Sequence, residues 1–192
     1  MKEQKNFWDK NAGRYDRFMR KDRAAYDEMY ELIRPIVRHK TVLELATGTG
    51  LIAKHIVNAA AHIEATDASA EMITEAKRDN RSAKLHFSVQ DMFRLPYADK
   101  SFDVVIVSNA LHIVPQPEKA LAEIRRVLKI GGTFLICNES NGDTDKDEKW
   151  TKIIGGMTIY KDAEQKAYLE QAGFHDVQIH KKKSWLCITA RK

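Results

Sequence analysis

The pattern of apolar and polar positions along the chain changes its period near residue 40. Before that point, apolar residues recur at spacings of three and four, which predicts helices at 15–21 and 24–34, the second closed by Pro35. Beyond it come short, nearly continuous apolar runs, which are typical of parallel strands covered on both faces. These runs predict strands at 41–46, 62–67, 85–90, 102–109 and 133–138.

Amphipathic segments separate the predicted strands. They predict helices from the glycines at 48 and 50 to about residue 58, at 69–80 with Ser69 as N-cap, and from Pro117 to a stop at Gly131 and Gly132. A further helix at 161–174 is stopped by Gly173, and residues 177–190 hold two strands whose short connection allows only an antiparallel hairpin. The prediction is an α/β fold: a doubly wound sheet of seven strands, mostly parallel, with a C-terminal antiparallel hairpin.

Composition narrows the class of protein. The 192 residues are about the size of one domain, and no apolar run reaches the roughly 18 residues that a membrane span needs. The charged N-terminus lacks the apolar centre of a signal peptide, so we expect a cytoplasmic protein. Cys137 and Cys187 lie in apolar runs without partners at metal-ligand spacing, which indicates buried thiols in a reducing compartment.

The net charge of +5 raises the question of nucleic acid. The excess is gathered near the two ends of the chain and includes no arginine-rich arm or basic stretch interleaved with aromatic residues. Nucleic acid is therefore an unlikely partner. The sequence carries no signal for the oligomeric state.

Chemistry is expected where the carboxyl ends of the predicted strands meet, since ligands of open α/β sheets bind at that edge. The polar and glycine residues at this edge are Glu44, Gly48, Gly50, Asp67, Asp91, Ser108, Asn109 and His112. Together they predict a crevice that combines three carboxylates with an exposed backbone turn.

The turn has two possible ligands. The run G-T-G-L-I-A fits the dinucleotide fingerprint, and Asp67 follows at a suitable distance, so a nicotinamide-dependent oxidoreductase is one reading. Glu44 before the turn would repel a pyrophosphate and attract an ammonium group. Asp67 can accept both hydroxyls of a ribose, and Asp91 can accept from an exocyclic amine. A ligand with ribose, adenine and a cationic amino acid, such as S-adenosylmethionine, meets all three requirements.

Five segments in order resemble the class I S-adenosylmethionine-dependent methyltransferases, most closely the branch that acts on small molecules such as quinone precursors. They are E-L-A-T-G-T-G (44–50), D-A-S-A-E-M (67–72), Q-D-M-F-R-L-P (90–96), S-F-D-V-V-I-V-S-N-A-L-H (101–112) and L-K-I-G-G (128–132). The opening F-W-D-K-N-A-G-R-Y-D (7–16) is similar to an N-terminal element of that branch. The resemblance implies a Rossmann-like fold and one domain over residues 1–192. This domain would divide into an N-terminal helical lid (1–38), a cofactor-binding core (39–137), and a C-terminal helix with antiparallel strands (138–192).

The resemblance also implies roles for single residues. The methionine end of the cofactor would be lined by Glu44, Ala46, Thr47 and Gly48, and the ribose by Asp67. The adenine would be bordered by Met72, Asp91 and Met92. The amino acid and sulfonium would lie near Ser108 and Asn109, and Tyr15 would reach in from the lid. Gly50 of the turn and Ala68 beside Asp67 complete the candidate set. One departure is Ala46, which stands where the family usually has glycine and narrows the space for close backbone approach.

Methyl transfer from a sulfonium needs mainly alignment of the acceptor and the methyl group, so we expect neither a metal nor a nucleophilic residue. His112 is the candidate catalytic base, against a structural role at a helix start. Three alternatives stay open beside small-molecule methylation. They are a binding protein without catalysis, an RNA or protein methyltransferase, and the oxidoreductase. The expected partner is a small-molecule methyl acceptor.

Overall fold

Seven strands form one mixed sheet in the order β3-β2-β1-β4-β5-β7-β6. The computed structural model describes residues 8–10, 12–13, 23–138, 161–181 and 185–192. Strands β1 to β5 pair in parallel, and β7 runs antiparallel to both of its neighbours, β5 and β6. The predicted α/β fold with a C-terminal antiparallel hairpin is confirmed.

Helices and strands alternate along most of the chain. The strands are β1 (Thr41–Leu45), β2 (His62–Asp67), β3 (Leu85–Val89), β4 (Phe102–Ser108), β5 (Leu128–Asn138), β6 (His175–Lys181) and β7 (Leu186–Arg191). The helices are α1 (Arg23–Val37), α2 (Leu51–Ile56), α3 (Ala70–Arg78), α4 (Pro117–Val127) and α5 (Asp162–Gln171), and residues 8–10 and 12–13 are also helical.

Successive side chains along a strand point to opposite faces of the sheet and pack in two apolar clusters, one on each face. Val42 of β1 packs in the cluster that includes α1, α2 and α3, while Leu43 packs in the cluster that includes α4 and α5. Burial on both faces explains why the strands read as continuous apolar runs rather than alternating ones. It also leaves the carboxyl edge of the sheet as the place where polar side chains collect.

The prediction that Pro35 closes the second N-terminal helix is wrong. Helix α1 continues through Pro35 to Val37. Proline removes one backbone hydrogen bond, but Pro35 is exposed in the last turn, whereas Ile36 packs against the core and Val37 is fully buried. Burial of these two side chains therefore outweighs the cost of the proline.

The prediction that Gly131 and Gly132 end helix α4 is also wrong. The helix ends at Val127, and β5 begins at once with Leu128. The glycines form a bulge in β5, since Leu128 pairs with Phe102 and Thr133 with Val104. Gly131 has a φ of 71°, and a Cβ on Gly132 would lie 2.8 Å from the Lys129 carbonyl oxygen. Glycine is therefore required at both positions by the conformation of β5, and not to end helix α4.

The connection between β3 and β4 is held to helix α4 by one arginine. The Arg126 guanidinium donates to the carbonyl oxygens of Tyr97 and Leu95 at 2.7 and 3.1 Å, and to the carboxylate of Asp99 at 2.9 Å. Glu123 accepts from Arg126 with both oxygens and also from the Leu95 N–H. This network fixes the loop that begins at the carboxyl end of β3.

In the described part of the chain, no helix combines the length and the apolar character that crossing a bilayer requires.

Replacing Arg126 by alanine should lower the free energy of unfolding by about 2–3 kcal/mol, because several charge-assisted hydrogen bonds to a half-buried loop are lost together. Arg126→Lys should recover less than half of the loss, since an ammonium cannot reproduce the planar guanidinium fork. Urea titration of both variants measures the effect. The matched control is Arg78→Ala on α3, whose exposed pair with Glu75 should contribute less than about 0.5 kcal/mol. Equal losses for Arg78→Ala and Arg126→Ala would contradict the role of the network.

Candidate functional site

The carboxyl ends of β1 and β2 are joined by a short turn and one carboxylate. The Thr47 N–H donates to the Thr66 carbonyl at 2.9 Å, and the Gly48 N–H donates to Asp67 Oδ2 at 2.8 Å. Glu44 lies one residue before the end of β1, and its own carbonyl accepts from the Thr66 hydroxyl. The predicted site residues of the first two strands are therefore in contact.

The turn depends on a left-handed backbone. Ala46, Gly48 and Gly50 have φ angles of 54°, 57° and 79°. For alanine this conformation costs about 1–2 kcal/mol, so Ala46 is held there by the bonds around it. Gly50 is needed for packing as well, because a Cβ at this position would lie 2.5 Å from the Phe87 ring. Gly50 thus supports the turn from its buried side.

Asp67 is a hydrogen-bond acceptor for two segments at once. Its Oδ2 binds the Gly48 N–H, and its Oδ1 binds the Ser69 N–H at 2.9 Å. Burial raises the pKa of Asp67; the N–H groups of Ser69, Gly48 and Ala68 oppose that effect, and the charge of Asp9 adds to it. A carboxylate has about four lone-pair directions, so each oxygen retains capacity for a ligand hydroxyl.

Glu44 is the most deeply buried acidic side chain of the site, with 1% of its surface exposed. The pKa of Glu44 is raised to about 8: burial is the largest cause, the Thr47 hydroxyl and the Ala53 backbone oppose it, and the nearby Asp67 adds to it. Among the described residues no hydrogen-bond partner reaches Glu44 Oε2, and the Thr47 hydroxyl lies close without forming a well-aligned bond. A buried oxygen of this kind favours a ligand that supplies a donor or a positive charge.

The N-terminal segment approaches the same carboxylates. Asp9 is near enough to Asp67 to raise its pKa, Asp9 Oδ1 is buried with no hydrogen-bond partner in the described ranges, and Ala12 is buried. Asp9 lies in the N-terminal segment F-W-D-K-N-A-G-R-Y-D, and its position in that segment is the signal in the sequence for a role at the site. Tyr15, the predicted lid contact, lies outside the described residues.

The end of β3 and the start of α3 form the neighbouring wall. The Gln90 N–H donates to the Asp67 carbonyl at 3.0 Å, which brings Asp91 and Met92 close to the end of β2. Asp91 is exposed, and its Oδ1 accepts from the Phe93 N–H, so this carboxylate also caps its own loop. Met72 is 2% exposed, with its N–H bound to the Ser69 hydroxyl, whereas the side chain of Ala68 is exposed.

Strand β4 ends beside β1 and completes the edge. Val107 pairs with Leu45, which puts Ser108 next to the turn, and both Ser108 and Asn109 are half-buried. Asn109 has a φ of 49°, and its N–H donates to the Cys137 carbonyl at 2.8 Å. Two adjacent strands therefore end in left-handed residues, Ala46 and Asn109.

His112 follows β4 and lines a small cleft between β5 and α5. The volume of the cleft is about 30 Å³, which is room for one or two water molecules. The other residues that line it are Leu111, Ile136, Asn138, Gln165, Tyr168 and Leu169. Asn138 Oδ1 is buried with no hydrogen-bond partner in the described ranges. Asn138 and Tyr168 were not predicted as site residues, because only the packing of α5 against β5 brings them to His112.

Together these groups form an edge rich in carboxyl oxygens. Glu44 and Asp67 lie at the turn, and Asp9 is near enough to Asp67 to raise its pKa. In their ionised forms these carboxyl groups repel anions, and a nearby cation favours those forms. The arrangement is suited to a ligand that combines hydroxyl donors with a positive group.

Comparison with known proteins supports this reading. The family model described as "Methyltransferase domain" matches residues 43–136. The "Demethylmenaquinone methyltransferase" of Clavibacter sepedonicus is 38% identical over 108 residues, which cover 54% of this chain and 43% of that protein. The "Ubiquinone/menaquinone biosynthesis C-methyltransferase UbiE" of Bartonella henselae is 36% identical over 114 residues, which cover 56% of this chain and 44% of that protein. The chain spans less than half the length of these two relatives.

The fold also matches solved methyltransferase structures. The "DhpI-SAH complex structure" superposes with a TM-score of 0.80 at 26% identity, covering 98% of this chain and 94% of that one. The similarity thus extends over nearly the whole sheet, beyond the segment of high sequence identity. The chain belongs to the class I S-adenosylmethionine-dependent methyltransferases.

Proposed function

We propose that the protein transfers a methyl group from S-adenosylmethionine to a small-molecule acceptor by in-line displacement. The observation that carries the proposal is the pair of carboxyl groups at the turn after β1, of which Glu44 is fully buried and Asp67 is partly buried. A small-molecule acceptor is supported by the relatives whose names refer to quinone biosynthesis.

The buried polar groups fit the proposed cofactor. Glu44 Oε2, which lacks a partner in the described ranges, would accept from the ammonium group of the methionine end. Asp67 would accept from the ribose hydroxyls with the lone pairs that the Gly48 and Ser69 N–H groups leave. Asp9 is close enough to contribute negative potential to the same region. An anionic pyrophosphate at this turn would face these carboxyl groups, which argues against a nicotinamide cofactor.

The remaining candidate residues would surround the other parts of the cofactor. Ala46, Thr47 and Gly48 would contribute backbone groups at the methionine end, and Gly50 would hold the turn in place. Met72, Asp91 and Met92, with Ala68 beside them, would border the adenine, and Ser108 and Asn109 would border the sulfonium. The second oxygen of Asp91 would accept from the adenine amine, since the first binds the Phe93 N–H. Tyr15 remains a predicted lid contact.

The bound cofactor supplies a methyl group already activated by the neighbouring sulfonium. The work left to this chain is to hold an acceptor atom about 3 Å from that carbon and in line with the breaking bond, and to exclude water. Ser108 and Asn109, at the edge beside Ala46, would position the methyl group. The acceptor would approach the methyl group from the side of His112, where Leu111, Ile136 and Leu169 supply apolar surface. We expect no metal in this step.

His112 is the candidate base for an acceptor that must lose a proton. Its ring lines the cleft between β5 and α5, near the polar groups of Asn138 and Tyr168. An imidazole can take a proton from a hydroxyl near neutral pH. A hydrogen-bonding role for the ring in the cleft is the alternative, and activity measurements distinguish the two.

Incubation with methyl-labelled S-adenosylmethionine and either a demethylated quinol or fractionated metabolite extract tests the function. We expect label in one small-molecule product identified by mass. His112→Ala should retain cofactor affinity and lose about 10²-fold or more in turnover. His175→Ala, an exposed histidine on β6, is the control and should match the wild type. Tight cofactor binding without any labelled product would favour a non-catalytic binding protein, and unchanged turnover in His112→Ala would remove the base role.

The ribose contact is tested by calorimetry on Asp67→Ala. Affinity for S-adenosylhomocysteine should fall by about 1–3 kcal/mol, because charged hydrogen bonds are lost. Asp79→Ala, an exposed aspartate after α3, should bind as the wild type does. Since Asp67 also binds Gly48 and Ser69, urea titration of the same variant checks that the protein is folded at the calorimetry temperature. Unchanged affinity in folded Asp67→Ala would contradict the assignment.

Glu44→Gln should remove a pH dependence from folding and from cofactor binding. The pKa of Glu44 is about 8 in the folded protein, and its ordinary value is 4.5. Between pH 4.5 and pH 8, Glu44 is therefore protonated in the folded protein and ionised in the unfolded chain. Its stabilising contribution is therefore complete below pH 4.5 and is lost as pH rises towards 8, by up to about 1.4 kcal/mol per pH unit. Urea titrations from pH 5 to 8 should show the wild type losing stability relative to Glu44→Gln.

The same pair of proteins should differ in cofactor affinity. The ionised carboxylate is the form that attracts an ammonium group, so wild-type affinity should rise with pH up to about 8. Glu44→Gln should bind more weakly, with a flatter pH profile. Parallel stability curves and parallel affinity profiles for the two proteins would contradict a buried, protonated Glu44.

A further inference from the structure

The two cysteines, 50 positions apart in sequence, lie directly opposite each other in the sheet. Cys137 of β5 pairs in register with Cys187 of β7, and their sulfur atoms are 3.5 Å apart. Both are fully buried on the face that includes α1 and α2. Methyl transfer as proposed above uses neither thiol.

The backbone around this pair has the spacing that a disulfide needs. The Cys137 carbonyl accepts from the Asn109 N–H, so the polar backbone groups of Cys137 face β4 rather than β7. The Cys137–Cys187 pair is therefore a non-hydrogen-bonded pair of the antiparallel ladder, for which the Cα atoms lie about 4.5 Å apart. Disulfides span Cα separations of about 4.4–6.8 Å, so rotation of the side chains brings the sulfurs into bonding distance without moving the strands.

The position of the pair in the sheet determines which cysteine an oxidant would meet first. Cys187 is the second residue of β7 and pairs on its other side with His180, near the end of β6. Opening of the end of this hairpin uncovers Cys187 before Cys137, because β7 lies between Cys137 and the edge strand β6. Both sulfurs are buried in the closed fold, so a small, uncharged oxidant would reach Cys187 only during such opening.

We propose that Cys137 and Cys187 are a redox modification site that forms a reversible disulfide between β5 and β7. With hydrogen peroxide, the Cys187 sulfur is oxidised to a sulfenic acid as the O–O bond breaks and water leaves. The Cys137 sulfur then attacks the sulfenic sulfur, a second water leaves, and the S–S bond forms. One peroxide takes up the two electrons, and a dithiol reductant reverses the reaction.

The disulfide would act as a clamp next to the cofactor edge. It would close a loop of about 50 residues that includes residues 139–160 and helix α5. Closing a loop of this length restricts the unfolded chain, so the oxidised protein should be the more stable form. No group of three or more possible metal ligands occurs among the described residues, so the pair is assigned to thiol chemistry rather than to a metal.

The test treats the folded full-length chain with hydrogen peroxide and follows intact mass, peptide maps and melting temperature. We expect loss of two hydrogen atoms, a peptide linking Cys137 to Cys187, and a melting temperature higher by roughly 5–10 °C. Dithiothreitol should reverse all three changes. Hydrogen exchange of β7 should slow in the oxidised form.

Cys137→Ala and Cys187→Ala are the matched controls. In Cys137→Ala, the sulfenic acid of Cys187 should persist and react with dimedone, without the loss of two hydrogens. Cys187→Ala should react more slowly than either the wild type or Cys137→Ala. If either variant fails to fold, the linked peptide from the wild type decides alone. Sulfinic acid without a linked peptide, disulfides between chains, or no reaction under conditions that oxidise the unfolded chain would each overturn the proposal.

Discussion

Desolvation of two carboxyl groups is the constraint on which the rest of the site depends. Glu44 is fully buried and Asp67 is partly buried; burial raises the pKa of both, but their hydrogen-bond partners differ. Asp67 receives backbone N–H groups from the turn and from the start of α3, which stabilise its ionised form. Glu44 Oε2 lacks such a partner among the described residues, so desolvation dominates and Glu44 holds its proton. A cation at the turn reverses that balance, because its charge replaces the lost solvation.

The sheet order explains how these groups come together from distant parts of the sequence. Strands β3, β2, β1, β4 and β5 are parallel neighbours, so their carboxyl ends share one edge. The antiparallel β7 is inserted between β5 and β6 and starts where β5 ends, with Leu186 paired to Asn138. The first residues of β7 therefore lie at the same edge. This topology is what puts Cys187 beside Cys137 and α5 beside His112.

Much of the fold follows from local patterns in the sequence. All seven strands were predicted, because burial on both faces produces continuous apolar runs that turn residues separate. The helix ends at Pro35 and at Gly131 and Gly132 were not, since tertiary burial extends α1 and a bulge in β5 uses the glycines. Neither the extension of α1 nor the bulge in β5 can be predicted from local helix or turn propensity. The division into lid, core and C-terminal part stays a prediction.

The candidate site was predictable only where a residue ends a strand. Glu44, Asp67 and Ser108 stand at such ends and lie together as expected. Asp9, Asn138 and the Cys137–Cys187 pair depend on which segments pack against each other and on the register of β7, which periodicity does not encode. Asp91 was identified, but its capping of the Phe93 N–H follows from the loop conformation.

The left-handed residues at the edge show what this site demands of the backbone. Ala46 and Asn109 end neighbouring strands, and each turns the chain sharply away from the sheet. Asparagine tolerates this conformation well, whereas alanine adopts it at a cost of about 1–2 kcal/mol. The following residue, Thr47, is held to Thr66, and Asn109 to Cys137, so backbone bonds to the adjacent strands maintain both turns. From β1 the chain continues to α2 and β2 on one side of the strand order, and from β4 to α4 and β5 on the other side. This is the switch point at which open α/β sheets bind ligands. Backbone hydrogen bonds within the sheet thus offset the strain at Ala46.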